Sequence, residues 1–440
     1  MLEFLGLDSL DQLFAHIPAS VRLSAGLDMA PGMSEPDVAA VFAELTSRNL
    51  GQLSKLTCFA GGGAYDHEVP PVVKQLGSRS EFVTAYTPYQ PEVAQGILQA
   101  IFEYQTMVSR LSGLPIANAS IYDGATSLVE AVNMAGGATG RGKMLISAGV
   151  HPNWRAVVKT FAFGTGHEII EVPLVDGVTD WASVDASGAA AVIAAYPNYL
   201  GVLEDLSDAK ALSVANDALF VVAGDPVAAG VLKTAGQWGA DVYVGEGQPF
   251  GTALSFGGPF LGLFACTEAQ IRRLPGRIVG ETLDSNGRRA FVTTLRAREQ
   301  DIRREKATSN ICSNQTLMAV TAAIQLGYLG TQGLAEVATR CAQGAHYLFD
   351  KLVALPGVSA VSSQPFFREF ALRLPKNAAA VLAELADQGI LGGLALSGLA
   401  GESDASLEGD LANVVLITVT ERRTLAELDH YVDVLGKVLS

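Results

Sequence analysis

The sequence predicts an α/β fold with a mostly parallel central sheet, followed by a smaller α+β region. Three observations carry this. Six short apolar runs, at residues 143–148, 168–172, 191–196, 219–223, 242–244 and 261–265, are mostly separated by helical windows. Strands alternating with helices build a parallel sheet with helices packed on its faces. From about residue 345 the pattern changes, and 367–374 and 414–418 stand as strands outside the alternation. The chain has 440 residues, 49% of them apolar, which is enough for two or three domains with a sizeable core. The expected division is an N-terminal arm over 1–80, a large α/β domain over 81–330 and a small C-terminal domain over 331–440.

The arm reads as extended and partly helical. Residues 7–14 begin a short helix with Asp8 or Ser9 as cap, and Pro18 ends it. A second helix spans 34–50, with Pro36 near its start. A glycine-rich loop, Phe59 to His67, closes the arm. Such an arm is expected to reach over a partner subunit.

The rest of the chain is organised around the stretch 82–135. Two polar, aromatic-rich loops, YTPYQPE at 86–92 and NASIYDGATS at 118–127, bracket one helix. Pro91 fits a first helical turn. Val93, Ile97, Ile101, Tyr104, Val108 and Leu111 recur at steps of three and four, the period of a buried face. Gly113 ends the helix. Gly96 inside it should cost roughly 1 kcal/mol against alanine, a cost often associated with close approach of another backbone. Downstream, the loops at strand carboxyl ends are where ligands of such sheets bind: 147–154, 196–199, 224–226 and 245–249. Residues 290–350 read as helical, charged over 297–306 and apolar over 315–329.

Composition excludes several classes. A formal charge of -15 argues against nucleic acid and anionic membranes as main partners. No run approaches the roughly 20 apolar residues of a membrane span, and Met1-Leu2-Glu3-Phe4 does not open a secretory signal. Cys58, Cys266, Cys312 and Cys341 lack metal-ligand spacing. Reduced thiols, a cytoplasmic location and no metal are expected.

Two glycine patterns are decoys. Residues 137–143 fit GxxxxGK, but Met144 stands where a magnesium-holding Ser or Thr belongs, and the pattern follows a helix instead of a strand. Gly245-Glu246-Gly247 follows a strand, but Pro249 and the later glycines do not open a helix as a dinucleotide loop would. The six histidines form no close pair, although His151 lies at a strand end.

The long motifs point further. YTPYQPE and NASIYDGATS, with SLDQLFAHIP at 9–18, GGGAYDH at 61–67, GEGQPFGTALSFGGPFLG at 245–262 and REQDIRREKATSNICSNQ at 298–315, closely resemble the α subunit of the two-chain glycine dehydrogenase (decarboxylating), the P-protein of the glycine cleavage system. The last hundred or so residues match only in outline. The resemblance implies the fold-type I, aminotransferase-like architecture of pyridoxal-phosphate enzymes and an α2β2 heterotetramer. It implies that glycine is decarboxylated with pyridoxal phosphate and that the aminomethyl group passes to the lipoyl arm of the H-protein, whose disulfide is reduced.

Such a cofactor needs a lysine for its aldehyde, a helix N-terminus for its phosphate and a carboxylate for its pyridinium nitrogen. The position expected for the lysine holds Gln248 or Pro249, and no lysine occurs between Lys233 and Lys306. In the phosphate-type turn, Asp123 places a negative charge. Asp225 fits either the pyridinium partner or an ordinary N-cap. The resemblance therefore implies that the β subunit carries pyridoxal phosphate and that this chain is inactive alone. Tyr86, Tyr89, Gln90 and Tyr122 are the candidates for lining an active site at the α–β interface, with Gly63 and His67 near the entry of the lipoyl arm. Asp123 and Thr126 fit a cleft role or helix capping. Two alternatives stay open: a self-sufficient pyridoxal-phosphate lyase or transferase using Lys233 or Lys306, and a non-catalytic scaffold subunit.

Overall fold

The computed structural model describes residues 1–23, 25–49, 56–85, 88–255, 257–398 and 411–440. The chain divides into two units, Met1–Lys55 and Leu56–Ser440.

The first unit holds three short helical turns and one longer helix, α1 (Glu35–Ser47). Ser34 caps α1, its side chain accepting from the Asp37 N–H. No residue of α1 is buried, and Val38, Val41, Phe42 and Leu45 form one exposed apolar stripe. The short helix expected over 7–14 is a 3-10 segment, Leu10–Phe14, with Ser9 at the N-cap position but making no side-chain cap hydrogen bond.

The second unit is built on a seven-stranded sheet. In chain order its elements are α2 (Gln95–Ser112), β1 (Ile116–Ala117), α3 (Gly124–Thr139), β2 (Lys143–Ser147), α4 (Pro152–Thr165), β3 (Glu168–Val172), β4 (Ala189–Tyr196), α5 (Ser207–Ala215), β5 (Leu219–Gly224), β6 (Val242–Glu246) and β7 (Gly262–Cys266). The strand order is β1-β7-β6-β5-β4-β2-β3, parallel from β6 to β3, with β7 antiparallel to both of its neighbours. Side chains alternate across the sheet, as the two-residue strand period requires. Leu145, Val192, Phe220, Val222, Tyr243 and Leu263 pack on one face with Tyr104 and Val108 of α2. Met144, Ile146, Ile193, Val221, Val244 and Phe264 pack on the other with Leu128 and Val132 of α3. All six predicted apolar runs are strands.

Glu130 of α3 is buried in this layer and meets Ser309 and Asn133. Burial pushes its carboxyl from 4.5 up to about 7. With the folded value raised, its contribution is fully present below about pH 4.5 and is lost as the pH rises through 7. Glu130→Gln removes the buried charge. Its stability, followed by thermal melts, is therefore expected to match wild type near pH 4 and to exceed it at pH 8 by up to roughly 3 kcal/mol.

Three expectations are corrected. The helix after the YTPYQPE loop begins at Gln95, not at Pro91. Ala94 departs from helical geometry (φ -122, ψ 27), so Pro91–Ala94 form a separate turn, and Val93 is 79% exposed. Nor does Gly96 admit another backbone, since nothing lies within 4 Å of its Cβ position. The start of the predicted helical region, 290–293, belongs instead to the second strand of a hairpin, β8 (Val279–Leu283) with β9 (Arg289–Thr293). Two glutamines of α2 dock it. Gln95 donates to the Phe291 carbonyl and accepts from its N–H at 2.8 and 2.9 Å, and Gln105 does the same at Val279 at 3.0 and 2.9 Å.

The long helix α6 (Thr316–Leu352) breaks at Gly330 (φ 60, ψ -174). Its first half packs with the large sheet through Ala319 and Ala322. Its second half packs through Ala345, Leu348 and Leu352 on a four-stranded antiparallel sheet. That sheet contains β10 (Ser359–Ala360), β11 (Glu369–Arg373), β12 (Leu394–Ala395) and β13 (Val414–Thr418), in the order β10-β11-β13-β12. Helices α7 (Ala378–Asp387) and α8 (Leu425–Leu439) complete it. Among the described residues no helix is long and apolar enough to cross a membrane.

Candidate functional site

Two places gather the predicted residues. The first is a cleft at the carboxyl ends of β2, β4, β5 and β6, which spans the switch point where the strand order reverses between β2 and β4. Its walls include His151 after β2, Tyr199 after β4, Asp225 after β5, Glu246 at the end of β6, and Arg368 and Glu369 of the smaller sheet region. The triple glycine fits tightly here. A Cβ on Gly61 would lie 2.0 Å from Thr418 Oγ1, and one on Gly63 2.7 Å from the His151 ring.

The cleft's charges are paired internally. Arg368 is 1% exposed, and its guanidinium lies 2.7 Å from Asp225 Oδ2 and over the Tyr65 ring. Burial works against the Arg368 charge, but Asp225 beside it holds its pKa above the ordinary arginine value. Asp225 also accepts from the Val227 N–H at 2.9 Å, a local turn contact and not the expected N-cap, since Val227 holds that position before the short turn Ala228–Gly230.

The other Arg368 nitrogen, Nη1, donates to His67 Nε2. His67 therefore carries its proton on Nδ1 and donates it to Glu421 Oε2 at 2.6 Å. Burial alone would raise the Glu421 carboxyl, yet the His67 hydrogen bond draws it down to about 2. Cys341 donates to the same oxygen at 3.6 Å. His67 is thus a buried link between Arg368 and Glu421. Glu369, raised by burial, accepts from Tyr65 Oη at 2.7 Å and from the Gly62 N–H at 2.8 Å.

His151 donates from Nε2 to the Gly62 carbonyl at 2.7 Å and stacks on Trp154. Burial lowers its pKa to about 4, so the ring is neutral. Glu246 accepts three backbone N–H groups: Gly124 at 3.0 Å, Gln248 at 2.9 Å and Leu261 at 2.9 Å. Burial pushes its carboxyl up to about 7. Gln248 is not among the residues that line the cleft. Its amide clamps Tyr65, accepting from the N–H at 2.8 Å and donating to the carbonyl at 3.0 Å. Pro249 lines a separate cavity with His67 and Glu421.

The second place joins three of the long motifs. Tyr89 Oη donates to Asn314 Oδ1. Asn314 Nδ2 donates to the Ala119 carbonyl at 2.7 Å, and the Gln315 N–H donates to Ser120 Oγ at 3.1 Å. Tyr122 Oη accepts from the Cys312 N–H at 3.4 Å. The Arg277 guanidinium lies 4.9 Å over the Tyr89 ring, donates to the Cys312 carbonyl at 3.2 Å and pairs with Glu299. Ser120 is fully buried at φ 115, a strained backbone held by the Asn118 side chain, which accepts from its N–H at 3.1 Å.

Asp123 and Thr126 form a reciprocal capping box at the start of α3. Gln90 is exposed, and Tyr86 lies outside the described residues. The 137–143 decoy resolves as the end of α3 and the start of β2, with Lys143 Nζ donating to the Asp185 carbonyl at 2.7 Å.

The cleft does not fit pyridoxal phosphate. Among the described residues no lysine lines it, Asp225 is taken by Arg368, and its volume is about 80 Å³. Pockets that hold small molecules run to about 300–1,000 Å³. Lys233 lies instead over the Trp238 ring at 4.3 Å, and Lys306 is exposed.

The sheet order, the cleft and the two-sheet layout define a chain of the fold-type I pyridoxal-phosphate enzyme class. A sphingosine-1-phosphate lyase from Burkholderia pseudomallei (TM-score 0.62, 16% identity) and a cysteine desulfurase from Thermococcus onnurineus (TM-score 0.65, 15% identity) share this fold, each over more than nine-tenths of both chains. The chain belongs to the glycine cleavage system P-protein family, whose model matches residues 1–435.

It is 47% identical over 442 residues to the probable glycine dehydrogenase (decarboxylating) subunit 1 of Prosthecochloris aestuarii, covering 100% of this chain and 97% of the relative. It is 48% identical over 434 residues to that of Brevibacillus brevis, covering 98% and 94%. A crystal structure of an inhibitor-bound glycine decarboxylase P-protein superposes with a TM-score of 0.91 at 45% identity, covering 100% of this chain and 97% of that one.

Proposed function

We propose that this chain is catalytically incomplete alone and forms the active site together with a second subunit, which carries pyridoxal phosphate and its lysine. The carrying observation is that no lysine among the described residues lines the chain's own cleft, while three of the family's long motifs converge elsewhere, around Tyr89, Ser120, Tyr122 and Asn314. When bound, the cofactor supplies the electron sink for decarboxylation. This chain's part is to position and to exclude water. Tyr89 and Tyr122 supply aromatic walls pinned by Asn314 and Cys312, Gln90 follows Tyr89 on the same loop, and Arg277 offers a positive edge. The strain at Ser120 is the kind stored at functional sites.

The assembly is an α2β2 heterotetramer in the cytoplasm, and the aminomethyl group passes to the lipoyl arm of the H-protein. The four free thiols of the chain fit that reducing compartment. The exposed stripe of α1 suits the second subunit as a contact.

The test is reconstitution. This chain, the second subunit and their mixture are each supplied with glycine, pyridoxal phosphate and lipoylated H-protein, and carbon dioxide release is followed. Turnover by the mixture alone supports the reading; turnover by this chain alone contradicts it.

A further inference from the structure

The missing lysine is one barrier to a cofactor in this chain's cleft, and the geometry supplies two more. A phosphorylated pyridine would be recognised there at two points, the backbone N–H groups at the start of α3 and the carboxylate of Asp225. At the start of α3 the Gly124 N–H donates to Glu246 and the Thr126 N–H to Asp123, and Asp225 is held by Arg368. The Gly124, Gln248 and Leu261 N–H groups, from three separate segments, converge on Glu246. Three N–H donors around one buried carboxylate form an anion seat that is already filled. At the other point the buried Arg368 guanidinium holds Asp225 at 2.7 Å and is itself fixed by His67 and Glu421. His151 and Trp154, stacked on each other, also line this cleft.

We infer that Glu246 and Arg368 close this chain's cleft to phosphorylated cofactors, the carboxylate standing in for the phosphate and the guanidinium occupying the pyridinium partner. The inference rests on the reading that the second subunit carries the cofactor, and it explains why adding a lysine alone would not return one to this chain. The seat takes an inorganic or organic phosphate only when Glu246 is removed.

The experiment uses the full chain as wild type and as Glu246→Ala. Calorimetry and thermal melts are run with inorganic phosphate against chloride of equal ionic strength. The alanine variant is expected to bind phosphate at least about tenfold more tightly than wild type, and its melting temperature should rise in phosphate but not in chloride. Pyridoxal phosphate should bind this variant only about as well as inorganic phosphate does, because Arg368 still holds Asp225. If the alanine variant does not fold, Glu246→Ser replaces it with the same expectations.

A folded variant as blind to phosphate as wild type overturns the filled seat, and so does a wild type that binds phosphate equally well. Pyridoxal phosphate binding the variant far more tightly than inorganic phosphate overturns the role of Arg368. A borohydride-trapped adduct on a wild-type lysine would instead remove the reading that the second subunit carries the cofactor. A phosphate-blind variant without such an adduct removes only the closure of the cleft.

Discussion

Arg368→Met is expected to destabilise the chain by about 3–5 kcal/mol, the cost of leaving a buried charge without its partner. The guanidinium is 1% exposed and touches Asp225, His67 and the Tyr65 ring. Removing it strands the Asp225 carboxylate and the acceptor nitrogen of His67 together. The urea midpoint should fall with an unchanged slope. Replacing both partners, as in Arg368→Met with Asp225→Leu, should recover most of the loss, because two apolar groups leave no uncompensated charge. A single variant within about 1 kcal/mol of wild type would show that the pair is not what holds the two sheet regions at the cleft.

The second large effect concerns turnover. Tyr89→Ala is expected to lower kcat of the reconstituted enzyme by about 100-fold, the scale on which misplaced reacting groups cost rate. Tyr89 holds Asn314, which in turn holds the Ala119 carbonyl beside the strained Ser120. Loss of the ring lets these segments move relative to one another. Tyr89→Phe keeps the ring and loses one hydrogen bond, so about a tenfold loss is expected. Size-exclusion chromatography of each reconstituted pair checks that assembly is intact. Turnover within about twofold of wild type for Tyr89→Ala, in an intact assembly, would mean that these motifs only pack the interface.

Much of the large sheet was legible because parallel strands covered on both faces read as apolar runs. The capping box at Asp123 and Thr126 was legible too, because its chemistry is local. The hairpin of Val279–Leu283 and Arg289–Thr293 was missed, although Asp284-Ser285-Asn286-Gly287 between the strands is a turn signal. The charged stretch over 297–306 drew the helical reading across the second strand. Polar contacts from Gln95 and Gln105 dock the hairpin, and they have no period to detect.

The paired charges of the cleft were the least legible part. Asp225 meets Arg368 across 143 positions of sequence, and nothing near either residue announces the other. A hint was present in Phe366-Phe367-Arg368-Glu369-Phe370, where two charges sit inside an apolar run. Such residues are rarely fully buried unless paired. Glu246 offered a similar hint as an acid ending an apolar strand between two glycines. Its role required knowing that Gly124 and Leu261 arrive beside it.

The most direct measurement is borohydride reduction in the presence of pyridoxal phosphate, on this chain alone and on its complex with the second subunit, with adducts mapped by mass. The account predicts no specific adduct on any lysine of this chain in either sample and one on a lysine of the second subunit. A stoichiometric adduct on this chain, at Lys233, Lys306 or any other lysine, would contradict it.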